Sequence, residues 1–191
     1  MRAGRDVSRS EPTPNGGDVM SLTTNVKQAA RKIEKAVTGA EPEADLLDTL
    51  KEEHEAVSEL LKKLVESDNA SERRSLVAQI KANLVPHVKA EQKVLYDAII
   101  ALKDKDAKQD GEEGYIEHAL AAKTLGDLEK ISDARSPEHR ATAKVLRELV
   151  EHHVKEEERN VWSDAKKNFS AEERAEMNRR YLAEKRKIRV D

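Results

Sequence analysis

The chain has 191 residues and a mass of 21.5 kDa, enough for one core-bearing domain with a tail. Charged residues make up 38%, hydrophobic residues 37% and aromatics only 3%. That balance excludes a membrane protein, a β-sandwich and an aromatic-lined cleft, and it fits long helices. Cys is absent, which excludes disulfides, iron–sulfur clusters, thiolate zinc sites and cysteine nucleophiles. Lys and Arg number 35 against 38 Asp and Glu, a net charge of -3 with no global push toward nucleic acid or anionic lipid.

Met1–Asn25 is rich in Arg, Ser, Pro and Gly, lacks the apolar centre of a signal peptide, and reads as a disordered tail. Met20 is a candidate start within it. No apolar run is long enough for a membrane span, so the expected location is cytoplasmic, with no membrane partner. Residues 26–42 read as a short basic helical segment, Val26–Val37, closed by Thr38-Gly39 and a linker. A first long helix is expected over Glu43–Val65, with Leu47, Leu50, Val57, Leu61 and Leu64 on one face. Ser67–Glu72 supplies turn and capping residues. The second, Ser71–Leu102, carries Leu76, Ile80, Leu84, Leu95 and Ile99, and Pro86 is expected to kink it.

Asp104–Gly114 reads as a polar connection to a third helix, Gly114–Ile131. Ser136 and Pro137 have the chemistry of an N-cap and first helical residue. They open a fourth helix over Pro137–Lys167, with Val145, Leu149 and Val150 inward. Ser170–Glu173 reads as a capping box before a last basic helix ending near Ile188. The expected fold is all-α: an up-down-up-down four-helix bundle over 43–168, flanked by the N-terminal segment and a C-terminal helix over 169–191.

The apolar stripes are interrupted in a regular way. His54 lies between Leu50 and Val57 on the first helix. The second runs Ile80, Leu84, His87, Glu91, Leu95, and the fourth runs Leu146, Leu149/Val150, His153, Glu157, Val161. His118 lies in line with Tyr115, Ala122 and Leu125 on the third. In an antiparallel pair, residues at one level are equidistant from the turn. His54 and His87 centre on about residue 70, Glu91 and His118 on about 104, and His118 and His153 on about 135, all within or beside expected links. The four His therefore share one layer, roughly 25 Å from the bundle ends at 1.5 Å per residue.

Buried carboxylates need neutralisation, and two of them beside four imidazoles make a metal site. His(i)–Glu(i+4) puts a nitrogen and an oxygen on one face. Four nitrogens and two oxygens suit iron or manganese, with zinc behind. One metal cannot use all six ligands and stay open, whereas two bridged by two carboxylates can. His152/Glu156 has the same spacing as His153/Glu157. The latter is favoured because His87-Val-Lys-Ala-Glu91 aligns with His153-Val-Lys-Glu-Glu157 and sets Leu95-Tyr96 opposite Val161-Trp162. His139 reads as a surface residue.

The order His54, His87/Glu91, His118, His153/Glu157 resembles the hemerythrin-like (HHE cation-binding) family over about Asp45–Lys167. The resemblance implies a four-helix bundle with a non-haem di-iron centre, the His residues as terminal ligands and the carboxylates bridging. The oxygen-carrying members have a second His four residues after the one on the third helix. Here that position is Ala122, which implies one further open position and weighs against reversible O₂ carriage. Tyr115 is a candidate to approach it, with a core role favoured.

The expected function is binding or reacting with a small oxidant such as O₂, peroxide or nitric oxide, with peroxidase- or catalase-like turnover as one form. The alternatives are a non-enzymatic iron store or redox sensor, and a structural bundle without metal. The basic run Arg179–Arg189 reads as a solvated helix end in preference to a nucleic-acid contact. Glu156–Glu158 and Glu112-Glu113 read as solvated, Glu157 excepted. Oligomeric state is left open.

Overall fold

Asp45 opens the first helix by accepting a hydrogen bond from the backbone N–H of Leu47 at 3.0 Å. The computed structural model describes residues 44–190, so the expected tail, the segment over 26–42 and Met20 lie outside the described residues. Helix α1, Leu46–Glu66, buries Leu46, Leu47, Leu50, His54, Val57, Leu61 and Leu64, which is the expected stripe. Asn69 then caps α2, Ala70–Glu91, accepting from the N–H groups of Ser71 and Glu72. Pro86 sits inside α2 without ending it.

The expected second helix is not uniform. Beyond Pro86 it widens into a π turn at Gln92–Tyr96 and then resumes as the short α3, Asp97–Ile100. A π turn takes up more residues than an α turn, so the side chains beyond it are rotated relative to the α2 stripe.

Helix α4 spans Lys105–Lys130, capped by the Asp104 side chain on Asp106 and Ala107. It begins well before Gly114, where the sequence suggests a connection. Gly111 and Gly114 lie on its buried face. A Cβ at Gly114 would stand 2.6 Å from Tyr96 Cζ, and one at Gly111 2.8 Å from Ile100 Cγ1. Close helix–helix approach, not a turn, accounts for both glycines, and packing overrides their poor helix propensity.

Helix α5, Pro137–Arg159, starts on the Ser136 cap with Pro137 in its first turn. It stops at Asn160, so the expected fourth helix is divided, with α6 covering Val161–Asn168. Inside α5 the buried apolar residues are Ala143, Leu146 and Val150. Val145, expected inward, is 47% exposed, because Leu146 takes the core side of that turn. Helix α7, Ala171–Lys185, opens on the expected capping box of Ser170 and Glu173.

The described residues contain no strand, and no described helix is long and apolar enough to cross a membrane. Helix α1 packs on α2 and α5, α4 packs on α2 and α5, and α7 lies against α1 and α2. Two apolar clusters form the interior. One gathers Leu46, Leu50, Leu95, Tyr96, Ile99, Trp162, Met177 and Tyr181, and the other gathers Val57, Leu61, Leu64, Ile80, Leu84, Leu125, Leu146 and Val150.

His139 is not a surface residue. It is 2% exposed, and its Nδ1 accepts from Arg73 Nη2 at 2.9 Å. Arg73 is fully buried and also donates to the carbonyls of Leu64, at 2.6 Å, and Ser67, at 2.9 Å. The guanidinium thus satisfies carbonyls at the C-terminal end of α1, where a cation is favoured. Burial and the adjacent Arg73 hold His139 below the usual imidazole range, so it stays neutral and accepts.

Gly114→Ala should destabilise the protein by about 1–3 kcal/mol through overpacking against Tyr96. Gly126, where an added Cβ meets nothing within 4 Å, is the comparison. Gly126→Ala should stabilise by up to about 1 kcal/mol through helix propensity. Thermal or denaturant unfolding of the two variants checks both signs.

Candidate metal centre

Four helices deliver the six expected residues to one place. His54 comes from α1, His87 and Glu91 from α2, His118 from α4, and His153 and Glu157 from α5. None of them is more than 7% exposed. The layer lies between the two apolar clusters, where an unbalanced charge is most expensive. In the alternative register, His152 is 62% exposed with its Nε2 3.5 Å from Glu117, and Glu156 pairs with Arg159.

The carboxylates sit between imidazoles of different helices. Glu91 Oε2 is 3.3 Å from His87 Nε2 and 3.5 Å from His118 Nε2. Glu157 Oε2 is 3.2 Å from His153 Nε2 and 3.6 Å from His54 Nε2. Two sets of three donors each lie within 4.8 Å: His54, His87 and Glu91, and Glu91, His118 and His153. Glu91 belongs to both. The Nε2 atoms of His118 and His153 face each other at 2.9 Å.

Outside this layer a second set of carboxylates holds the rings. Glu158 Oε1 is 3.2 Å from His54 Nδ1, Glu53 Oε2 is 3.1 Å from His87 Nδ1, and Glu117 Oε2 is 2.8 Å from His153 Nδ1. Each carboxylate is placed to accept an Nδ1 proton, which in the neutral ring leaves the Nε2 lone pair directed inward, as ligand imidazoles require. Sequence reasoning misses all three. A signal is present, because Glu53 and Glu117 immediately precede His54 and His118. At a shared depth, the acid beside one His faces the His of the neighbouring helix. Glu158, read as solvated, instead follows Glu157 and reaches His54 from α5.

Donor chemistry fits a cation. His54 Nε2, both oxygens of Glu91 and Glu157 Oε2 are buried without a hydrogen-bond partner. Orphaned acceptors of this kind are costly unless a positive charge meets them. Titration behaviour points the same way. Burial pulls His87 down, but the Glu91 and Glu53 carboxylates outweigh it and hold the ring up to about 9. Burial opposes charge on His153 too, and Glu117 and Glu157 raise it to about 10. Burial raises Glu157, but His153 and His54 reverse that and hold it below the usual carboxylate range. Burial and the neighbouring Glu157 push Glu91 up to about 7. Burial lowers His54 and His118.

Aromatic residues complete the walls. Trp162 Nε1 donates to Glu157 Oε1 at 3.0 Å, and its ring stacks on His54 at 5.9 Å. Tyr115 is turned elsewhere, its hydroxyl 2.7 Å from Asp97 Oδ1 and 3.2 Å from the Gln92 carbonyl. The tyrosine beside the cluster is Tyr96, fully buried, with its ring 5.2 Å from His118 and its hydroxyl unpartnered. It arrives there because the π turn follows directly on Glu91.

Two small cavities, each about 10 Å³, touch the donors. That is room for about one water. One is walled by Val57, Leu84, Ala121, Val150 and Val154 beside all four His. The other is lined by Tyr96, Gly114, Glu117, His153 and Glu157, with Asp110, Glu113 and Glu156 as further acids. Ala122, expected to stand at an open position, is exposed; Ala121 faces the cluster instead.

The family model described as hemerythrin HHE cation binding domain matches residues 45–163. The chain belongs to that family. A curated relative, a DNA nickase of Nostoc sp., is 26% identical over 155 residues, covering 80% of this chain and 43% of its own length. The chain thus spans less than half of that relative. No solved structure matches.

Metal uptake by this hemerythrin-family site should release protons, because imidazolium cannot ligate. His87 and His153 stay protonated up to about 9 and about 10, so they carry protons at neutral pH. Apparent affinity should therefore rise with pH, by about tenfold or more per unit between pH 6 and 8. Quenching of Trp162, the single Trp of the chain, during Co²⁺ titration measures it.

Proposed function

We propose that the chain is a non-haem di-iron protein that binds or reacts with a small oxidant such as O₂, peroxide or nitric oxide. In this reading its four long helices run as an up-down-up-down bundle. His54, His87, His118 and His153 would hold the metal through imidazole nitrogens, and Glu91 and Glu157 through carboxylate oxygens. The observation that supports it is the pair of buried carboxylates, each beside two imidazoles of different helices, with both Glu91 oxygens and Glu157 Oε2 lacking a hydrogen-bond partner among the described residues. Iron is preferred over manganese and zinc for a donor set of nitrogens and carboxylates that would leave positions open.

Bound iron would supply electrons and an open position for the oxidant. The protein's own residues do the rest. Glu53, Glu117 and Glu158 fix the ring orientations, and the Trp162 indole holds one oxygen of Glu157. Val57, Leu84, Val150 and Val154 wall the small cavity beside the four His, apolar surroundings that suit a small neutral molecule better than a hydrated ion. Turnover of the oxidant, carriage and sensing use the same residues and differ in the step after binding. The cytoplasmic location expected from the sequence belongs to this reading.

The Nostoc relative favours a second reading, action on DNA through a divalent cation at the same donors. Burial weighs against it. With every donor at 7% exposure or less, a phosphodiester cannot reach the cluster without opening the helices. A nicking assay on supercoiled plasmid separates the readings: cleavage that is lost in His118→Ala would support action on DNA.

Purified protein should contain two irons per chain, and His87→Ala or Glu157→Ala should lose them along with thermal stability. Protein without stoichiometric metal, and with unchanged stability in those variants, would overturn the di-iron reading. Rapid mixing of the reduced protein with O₂ or peroxide then divides carriage from turnover. A stable, reversible oxygen adduct supports the first, and repeated peroxide consumption the second.

A further inference from the structure

Helix α7 lies outside the matched family domain, which ends at residue 163, yet it reaches the cluster. It is docked at the start of α1 by Arg174 on Asp45 at 2.8 Å and the Asn178 side chain on the Ala44 carbonyl at 3.0 Å, and at the π turn by Lys93 on Glu184 at 2.7 Å. Its inward residue, Tyr181, is fully buried in the apolar cluster that holds Leu46 and Leu50. The Tyr181 hydroxyl donates to Glu53 Oε2 at 2.6 Å and stands 3.1 Å from His87 Nδ1. One turn on, Lys185 Nζ donates to the same oxygen. Three donors therefore converge on one carboxylate oxygen: Tyr181 and Lys185 from α7, and His87 from α2, with Glu53 itself on α1.

The two sets of metal donors differ in what holds them. His153 is held within the matched domain, by Glu117. His87 is held by Glu53, whose Oε2 also accepts from Tyr181 and Lys185 of α7. We propose that Tyr181 and Lys185 are positioning residues for the His54–His87–Glu91 position alone, and that occupancy of this position and docking of α7 strengthen each other. This coupling rests on the metal-centre reading above, and its physical content is linkage. If docked α7 orients His87 for a metal, metal at that position must favour docked α7 by the same factor. The C-terminal helix then converts occupancy of one half of the centre into order of a surface helix.

The test uses the full chain, stripped of metal and titrated with Co²⁺ while Trp162 fluorescence and cobalt absorbance are followed. Tyr181→Phe keeps the ring and removes only the hydroxyl. It should weaken one of the two metal equivalents by about 10–100-fold and leave the other unchanged. Hydrogen exchange over 171–185 should slow by about tenfold or more on metal loading of the wild type, and by much less in Tyr181→Phe. Glu117→Gln should weaken the other equivalent and leave the response of α7 intact. If Tyr181→Phe does not fold, Lys185→Met, at the partly exposed end of the same network, reads the same coupling.

Wild-type affinity for both equivalents in the foldable variant overturns the coupling, as does α7 exchange that ignores metal in the wild type. Either result with two metals bound leaves the metal-centre reading standing. A wild type that takes up no metal overturns both.

Discussion

Two carboxylates in the middle of an apolar interior are the constraint on which the rest of the structure depends. Neither Glu91 nor Glu157 is more than 2% exposed, and a bare carboxylate there is destabilising by several kcal/mol. Everything around them supplies or directs positive charge. Four imidazoles turn Nε2 toward them, and three further carboxylates behind the rings keep those nitrogens aimed. The apolar clusters above and below exclude the water that would otherwise screen the charge. A cation held by these donors would balance that charge, and protons on His87 and His153 are placed to do the same.

The candidate centre is legible in the sequence because two independent regularities coincide. Helical spacing puts each His on an inward face, and equal distances from the turns put all four at one depth. His152, adjacent to His153, differs from it in orientation, exposed where His153 is buried, and the alignment of the two His-x-x-x-Glu segments favours the buried one. The outer carboxylates escape notice because a charged residue on a helix is read as solvated by default. Glu53, Glu117 and Glu158 are partly exposed and still make the contacts that orient the rings.

The fold is legible in its caps and stripes and less so where packing overrides local preference. Asn69, Ser136 and Ser170 cap their helices as their side chains suggest. Gly111 and Gly114 mislead, because glycine chosen for close contact looks the same in sequence as glycine chosen for a turn. The π turn after Glu91 has no compositional mark, yet it swings Tyr96 toward His118 while Tyr115 looks outward to Asp97. His139 is misread for a related reason. Its partner Arg73 is a buried cation with no carboxylate in hydrogen-bond contact among the described residues, its Nη atoms paired with carbonyls and a neutral ring, and polarity alone does not reveal such an arrangement.

The polar layer also divides the interior into two compartments. Each apolar cluster is built from only a few turns of each helix, less than a self-sufficient domain needs. The two compartments are tied together, since α1, α2 and α4 contribute buried residues to both and the layer joins them. Charge balance at the seam therefore sets cooperativity as well as chemistry. An imbalance there is felt as loss of agreement between the two ends of the molecule, not as fraying at either one.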